Sequence, residues 1–370
     1  MIGIIPLTKP YFGKEEISQV KQVLDSGIVA GLGPKTKILE NIFSKYVKTP
    51  HSFAVNNCTA ALHLAMLALD IKKGDEVLVA DYSFPSTGHA VLYVGAKPVF
   101  IDVDPLTYNM NPSLLEEKIN KRTKAIIPVH TFGQSADMDR IMRIAKKHGL
   151  KVVEDAAWGF GTRFKGKPVG TFGDIGCFSF QGRKGITTGE GGMVAVKNGA
   201  VANKVRIFSR IGSEPYVEDG INLLRFTTLG YNFKLSDIAA GIGIAQIKLF
   251  PKMTKKRQAL AKYYDEKLDS IPFLDKPYLS KKSNHTYPAY VCLAKDGKTR
   301  NGLIRELMKR KIQTQIGTYA LHLQPIYKTK KRCPVSADIF RRAIALPLYY
   351  EMTHKNIDEV ISAIRKIGVR

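Results

Sequence analysis

The sequence is poor in cysteine and in acidic residues, has one tryptophan, and contains no long apolar run. Its four cysteines (Cys58, Cys177, Cys292 and Cys333) form no C-x-x-C pair and no zinc-like spacing. That argues against a disulfide framework and a structural metal, and for a reducing compartment. No apolar stretch is long enough to span a bilayer, so no membrane association is expected. The start, Met1-Ile2-Gly3-Ile4-Ile5-Pro6, lacks the basic-then-apolar pattern of a secretory signal. A cytoplasmic setting is expected. H-E-x-x-H and G-x-S-x-G are missing, which leaves a Ser-His-Asp hydrolase no nucleophile elbow. Gly182-Arg183-Lys184-Gly185-Ile186-Thr187 lacks the residue order of a P-loop, and Gly159-Phe160-Gly161 lacks the third glycine of a dinucleotide fingerprint.

The acid deficit is large: 57 Lys and Arg stand against 32 Asp and Glu, a net charge of +25. Such a balance can mark a nucleic-acid binder. Here the basic runs (Lys328-Thr329-Lys330-Lys331-Arg332, Lys252 to Arg257, Lys281-Lys282) have no interleaved aromatics. They read as solvated surface, with no nucleic-acid partner expected. The overall field favours an anionic substrate.

What is present is an alternation. Apolar strands are expected at Ser52–Val55, Val77–Ala80, Pro98–Val103, Ala125–Val129 and Val152–Glu154, with helices at Thr59–Leu69 and Met138–His148 between them. This predicts a largely parallel sheet covered on both faces. Phe178–Phe180 and Met193–Val196 add strands near its end. Val205 to Phe233 reads as irregular. Leu235–Leu249 reads as a helix that Pro251 interrupts. Residues 1–250, including an N-terminal arm at 1–12, are expected to form a large α/β domain, and 251–370 a smaller α+β module.

In such sheets ligands bind beyond the carboxyl ends of the strands. After the first strand comes Asn56-Asn57-Cys58-Thr59-Ala60, a helix start with free N–H groups and a hydroxyl that would seat a phosphate. The next strands are followed by Phe84, by His130, and by Asp155. Lys184 sits on a glycine-rich turn just past Ser179. A lysine held there can form a Schiff base with an aldehyde cofactor, pyridoxal 5'-phosphate (PLP). A carboxylate would keep the pyridine nitrogen protonated, and an aromatic face would sandwich the ring. Singly, each residue has a plain reading: Thr59 an N-cap, Asp155 a capping or salt-bridged aspartate, Phe84 and His63 core, and His130 equally a structural hydrogen-bonder or a site residue. Their joint placement carries the PLP reading.

Several stretches together resemble the DegT-type sugar-nucleotide aminotransferases: Asn57-Cys58-Thr59-Ala60-Ala61-Leu62-His63, Val94-Gly95-Ala96-Lys97-Pro98, Glu154-Asp155-Ala156-Ala157, Phe178-Ser179-Phe180 with Lys184 and Gly189-Glu190-Gly191-Gly192, Gly230-Tyr231-Asn232-Phe233, and Leu321-His322. The resemblance runs from Pro6 to the last helix. It implies a fold-type-I PLP enzyme working as a homodimer with sites at the subunit interface. Lys184 would form the Schiff base and then move the proton. Asp155 would pair with the ring nitrogen and Phe84 would stack on the ring. Thr59, the Ala60 amide and Ser179 would bind the phosphate, with Cys58 lining that seat and Asn232 reaching it from the partner. Trp158, Glu190, Tyr319 and His322 are candidate substrate contacts, and no metal is expected. The implied reaction carries an amino group from glutamate to a keto sugar nucleotide. The Ile186-Thr187-Thr188-Gly189-Glu190-Gly191-Gly192 wording resembles members that aminate C4 of 4-keto-6-deoxy sugars, such as perosamine synthases. Trp158 departs from the usual Gln, Glu or His, because an indole can donate a hydrogen bond but not accept one. The family also holds sugar dehydratases with histidine at the lysine position, which Lys184 argues against. A PLP-fold regulator or nucleic-acid binder would have no need of Lys184 and Asp155.

Overall fold

In the computed structural model, which describes residues 3–368, seven strands form the central sheet. They are β1 (His51–Val55), β2 (Glu76–Ala80), β3 (Lys97–Ile101), β4 (Thr123–Ile127), β5 (Lys151–Asp155), β6 (Ile175–Ser179) and β7 (Gly192–Val196). The spatial order is β1-β7-β6-β5-β4-β2-β3, and only β7 runs against its neighbours. Helices α1 (Lys14–Ser26) and α2 (Pro34–Val47) precede the sheet. Then α3 (Cys58–Ala68), α4 (Ser86–Tyr93), α5 (Met138–His148) and α6 (Gly199–Ser209) are threaded between or after its strands. Side chains of β2 alternate: Leu78 and Ala80 join the core with α2 and α5, while Val77 and Val79 join the core with α3 and α6. Both faces of the sheet are thus dry, which is why β2, β6 and β7 are buried along their whole length.

Helix α7 (Asp237–Leu268) corrects the expectation that Pro251 interrupts the helix, for it runs through that residue without a break. An internal proline costs about 3 kcal/mol. Phe250 and Met253 flank it in the large core, and Leu260, Ala261, Tyr264 and Leu268 anchor the far half in a second core. At about 1.5–3 kcal/mol for each fully buried large apolar side chain, packing outweighs the proline. The expected boundary at 250/251 therefore falls inside a helix that belongs to both parts.

The second core is covered by a four-stranded antiparallel sheet: β8 (Leu274–Asp275), β9 (Tyr290–Ala294), β10 (Gln315–Ile316) and β11 (Ala343–Leu346), in the order β8-β9-β11-β10. Helices α8 (Gly297–Lys309), α9 (Pro334–Arg342) and α10 (His354–Gly368) complete the module. The N-terminal arm, assigned by sequence to the large domain, joins this module instead. Ile5 pairs with the Lys311–Gln313 backbone, and Leu348 N–H donates to Leu7 O at 3.1 Å. The outermost residues of the expected arm and module, 1–2 and 369–370, lie outside the described residues.

Val205 to Phe233, expected to be irregular, holds the end of α6 and a hairpin, Ser213–Glu218 paired with Ile221–Phe226. Its two-residue turn is Asp219-Gly220, both at positive φ (50° and 79°), the backbone an Asp-Gly hairpin turn requires. No helix among the described residues is long and apolar enough to cross a membrane.

Candidate active site

A cleft of about 400 Å³ opens where the C-terminal ends of the central strands meet the small module. That volume lies within the roughly 300–1,000 Å³ usual for small-molecule sites. Cys58, Thr59, Phe84, Asp155, Trp158, Ser179, Lys184, Glu190 and Tyr319 all line it. These are nine of the residues singled out in the sequence, drawn from seven separate stretches.

Asp155 ends β5 and is 4% exposed. Its Oδ2 accepts from Thr87 Oγ1 at 2.6 Å, and its Oδ1 from the Ala157 N–H at 3.1 Å. Ser83 Oγ lies 2.7 Å from Thr87 Oγ1; with the Thr87 proton committed to Asp155, Ser83 is the donor. The carboxylate is therefore fixed in direction before any ligand arrives. Below it, His130 and Glu154 form a fully buried pair at 2.9 Å. The Ala136 N–H donates to His130 Nδ1, so Nδ1 carries no proton and Nε2–H faces Glu154. Burial alone would raise the Glu154 pKa. The bonds from His130 and from the Gly173 and Gly170 amides outweigh it and hold the carboxyl below its ordinary range. His130 is thus a structural residue that braces the strand carrying Asp155.

Lys184 lines the same cleft. Its Nζ lies 3.4 Å from the Trp158 ring centroid, close enough for a cation–π contact. Burial draws its pKa down from 10.5 to about 8, with Cys58 and Asp155 pulling the other way. Roughly a tenth to a half of these amines are therefore unprotonated between pH 7 and 8, against under a thousandth for a free lysine at pH 7. Trp158 meets the amine with its ring face, so its inability to accept a hydrogen bond does not matter to that contact.

At the start of α3 the plain reading of Thr59 as an N-cap does not hold. Asn57 is the N-cap, its Oδ1 accepting from the Ala60 N–H at 2.8 Å. A side-chain cap is worth about 1 kcal/mol. Two consequences follow. The Ala60 amide, expected to be a free phosphate donor, is engaged by Asn57. The Thr59 hydroxyl is released toward the cleft, where it lies 2.8 Å from Ser86 Oγ. Strand β7 crosses this seat closely. A Cβ on Gly192 would lie 2.8 Å from Asn57 C, so only glycine fits there.

His322 is corrected as a substrate contact. It turns inward, with its N–H 2.8 Å from Asp81 Oδ1 and its Nδ1 2.6 Å from Asp81 Oδ2, and does not line the cleft. Asp81 is fully buried and wins the ring as a partner. Asn232 is exposed and also lies outside the cleft wall of this chain. Phe84, by contrast with a core reading, is 55% exposed at the cleft mouth. Sequence reasoning missed Ser83, Ser86 and Thr87, although all three follow β2 within a few residues; Ser83 and Ser86 line the cleft with Phe84, and Thr87 lies buried against Asp155. It also missed Gln315, whose Oε1 accepts from Arg183 at 2.9 Å beside Lys184.

Residues 10–365 match the DegT/DnrJ/EryC1/StrS aminotransferase family. The chain belongs to that family. It is 36% identical to the spore coat polysaccharide biosynthesis protein SpsC of Bacillus subtilis, covering 98% of this chain and 97% of that one. It is 34% identical to a GDP-perosamine synthase of Escherichia coli O157:H7, covering 98% of each. Among solved structures, the aminotransferase TlmJ from Streptoalloteichus hindustanus superposes with a TM-score of 0.94 at 29% identity over 99% of both chains. The PLP form of the sugar aminotransferase Spr1654 from Streptococcus pneumoniae does so with a TM-score of 0.92 at 28% identity, also over 99% of both. The fold is accordingly that of the PLP-dependent aminotransferases, with a large, mostly parallel sheet. The family assignment makes the chain an aminotransferase-type enzyme acting on small molecules.

Proposed function

We propose that the protein uses PLP to transfer an amino group, with glutamate as the expected donor, to the C4 keto carbon of a nucleoside-diphosphate 4-keto-6-deoxy sugar. The carrying observation is the pairing of Lys184, an amine with a pKa of about 8, and Asp155, an anchored carboxylate, in the wall of one cleft. The donor set fits the cofactor. Thr59, Ser86 and Ser179 offer hydroxyls to a phosphate, Asp155 a carboxylate to a ring nitrogen, and Phe84 an exposed aromatic face. When bound, PLP supplies an aldehyde that takes up an amino group and a ring that accepts electrons.

The chain's own residues do the rest. Lys184 Nζ holds the cofactor, and when released it takes and returns the proton at the carbon that gains or loses nitrogen. Trp158 fixes where that nitrogen waits. Ser83 and Thr87 orient Asp155 so that it need not reorganise as charge shifts. Tyr319, Ile316 and Gly317 form the facing wall, to which we assign the sugar. A Cβ on Gly317 would strike the buried Tyr82 hydroxyl, so this loop comes as close to the cleft floor as a backbone can.

The relatives in perosamine and spore-coat polysaccharide synthesis support a sugar-nucleotide substrate in polysaccharide assembly. A homodimer is supported by the Ser213–Phe226 hairpin and its flank. Val217, Ile221, Leu224, Phe226 and Leu229 are each more than half exposed there, an apolar surface that suits a second copy. Asn232 follows this hairpin. The free, buried cysteines fit a reducing cytoplasm.

The reading is tested by adding PLP, reducing with borohydride and sequencing peptides by mass spectrometry. A cofactor-sized addition on Lys184, absent in Lys184→Ala, is the expected result. Nucleoside-diphosphate keto sugars are then offered with glutamate, and Lys184→Ala should lower turnover by at least roughly a thousandfold. A chain that takes no label on Lys184, or a Lys184→Ala variant that still turns over, refutes the reading.

A further inference from the structure

The turn that presents Lys184 to the cleft has a second cation behind it. Arg257 rises from the later half of α7 and is only 6% exposed. Its Nη1 donates to Gly185 O at 3.1 Å, and its Nη2 reaches Thr254 Oγ1 at 3.5 Å. The guanidinium carbon lies 5.7 Å from the Phe250 ring centroid. Arg257 Nε has no hydrogen-bond partner among the described residues, and no acidic side chain among them pairs with the group. Arg300, another buried arginine, instead donates to both Phe340 O and Ala343 O.

A guanidinium has five N–H donors, and a buried charge is costly unless paired. One carbonyl, one long hydroxyl contact and one phenyl face return only part of that cost. Burial shows in the pKa, which is drawn down from 12.5 to about 10. Beside Arg257 lies a hollow of about 40 Å³. Its wall contains Lys9, Arg183, Lys184 and Arg257 and no Asp or Glu. Lys9 is already bound to Glu351 at 2.7 Å, Arg183 to Gln315 at 2.9 Å, and Lys184 Nζ faces Trp158, which leaves Arg257 as the cation in that wall with an unpartnered donor. A water needs roughly 10–15 Å³ on this measure, so the space suits a small ion with its hydration and excludes a sugar nucleotide.

We infer that this hollow is a small-anion site, which binds a monovalent, halide-sized anion against Arg257 and so braces the turn that carries Lys184. The anion supplies the charge the chain withholds. Arg257 transmits the bracing through its bond to Gly185 O, one residue beyond Lys184. The inference does not rest on the transamination reading, since the site would exist whatever the cleft accepts.

The test uses the full-length protein and no activity assay. Thermal unfolding is followed in sodium chloride, sodium bromide and sodium gluconate at equal ionic strength. Crystals are soaked in bromide and anomalous scattering is recorded. The expected result is a Tm about 2–4 °C higher in halide than in gluconate, with a bromide peak in hydrogen-bond reach of Arg257. In Arg257→Met the halide dependence disappears, while the Tm in gluconate holds or rises because an unpaired buried charge has gone. Equal Tm values in all three salts with no bromide peak overturn the inference, and water is then the partner of Arg257. So does a halide effect that survives in Arg257→Met. Should that variant fail to fold, the bromide map of the unaltered protein still decides.

Discussion

The two walls of the cleft are built by different means. The wall under Lys184 and Asp155 is made of strand ends. Asp155 closes β5, Ser179 closes β6, Thr59 opens α3 just past β1, and Phe84, Ser86 and Thr87 follow β2. The facing wall comes from the small module, and its anchors span most of the chain. Thr318 N–H donates to Tyr82 Oη at 3.2 Å across 236 positions, and His322 meets Asp81 across 241. The first wall holds the chemistry and is encoded locally. The second holds the shape of the site and exists only once the two modules are docked.

Substitutions should separate the two walls by what they do to kcat and KM. Asp155→Asn keeps the shape but changes the charge presented to the cofactor, and kcat is expected to fall roughly 10²–10³-fold with KM little changed. Thr87→Val leaves Asp155 in place but removes its 2.6 Å donor. A hydrogen bond to a charged group is worth about 1.5–3 kcal/mol, so a drop in kcat of roughly tenfold or somewhat more is expected. Steady-state kinetics on both variants, with circular dichroism to check the fold, would expose an error. A rise in KM alone would mean that Asp155 belongs to substrate binding.

On the other wall, His322→Gln loosens the Asp81 clasp without touching the cleft. KM for the sugar nucleotide should rise roughly tenfold while kcat and the PLP absorption band stay near their wild-type values. A loss of kcat with KM unchanged would move His322 into the chemistry and erase the distinction between the walls.

This division also explains how much could be read without the structure. The sheet, its covering helices and Thr59, Phe84, Asp155, Ser179 and Lys184 were legible because each depends on a local pattern, an apolar strand and then a chemically suited residue beyond it, whereas Cys58, Trp158, Glu190 and Tyr319 came from the family resemblance. His322 was misplaced because its partner, Asp81, lies on a different module and no local pattern announces it. The same holds for Gln315 beside Arg183. Pro251 misled because propensity acts locally while Phe250 and Met253 pack against distant elements. The hairpin after α6 did carry a local signal, Asp219-Gly220, but its flanking strands lack the alternation of a half-buried sheet because both faces are largely exposed. The plain reading of Thr59 as an N-cap falls because Asn57, two positions earlier, caps the helix that begins at Cys58.

The smallest expected effect bears on the chemical wall before any cofactor binds. In the cofactor-free protein at pH 7, Lys184 is mostly protonated in the native state and fully so in the unfolded state. The cost of burying its charge therefore falls on the native state alone. Lys184→Met removes that cost and should melt a few degrees higher than wild type at pH 7. As pH rises through about 8, the native amine loses its proton while the unfolded one keeps it until about 10.5. The native state then binds fewer protons than the unfolded state, so wild-type stability gains on the variant and the gap narrows across that window. Other titrating groups are common to both proteins and cancel in the difference. A gap that stays constant from pH 7 to pH 10 would show that Lys184 is not desolvated, and the poised amine on which this wall depends would have to come from the cofactor's arrival rather than from the fold.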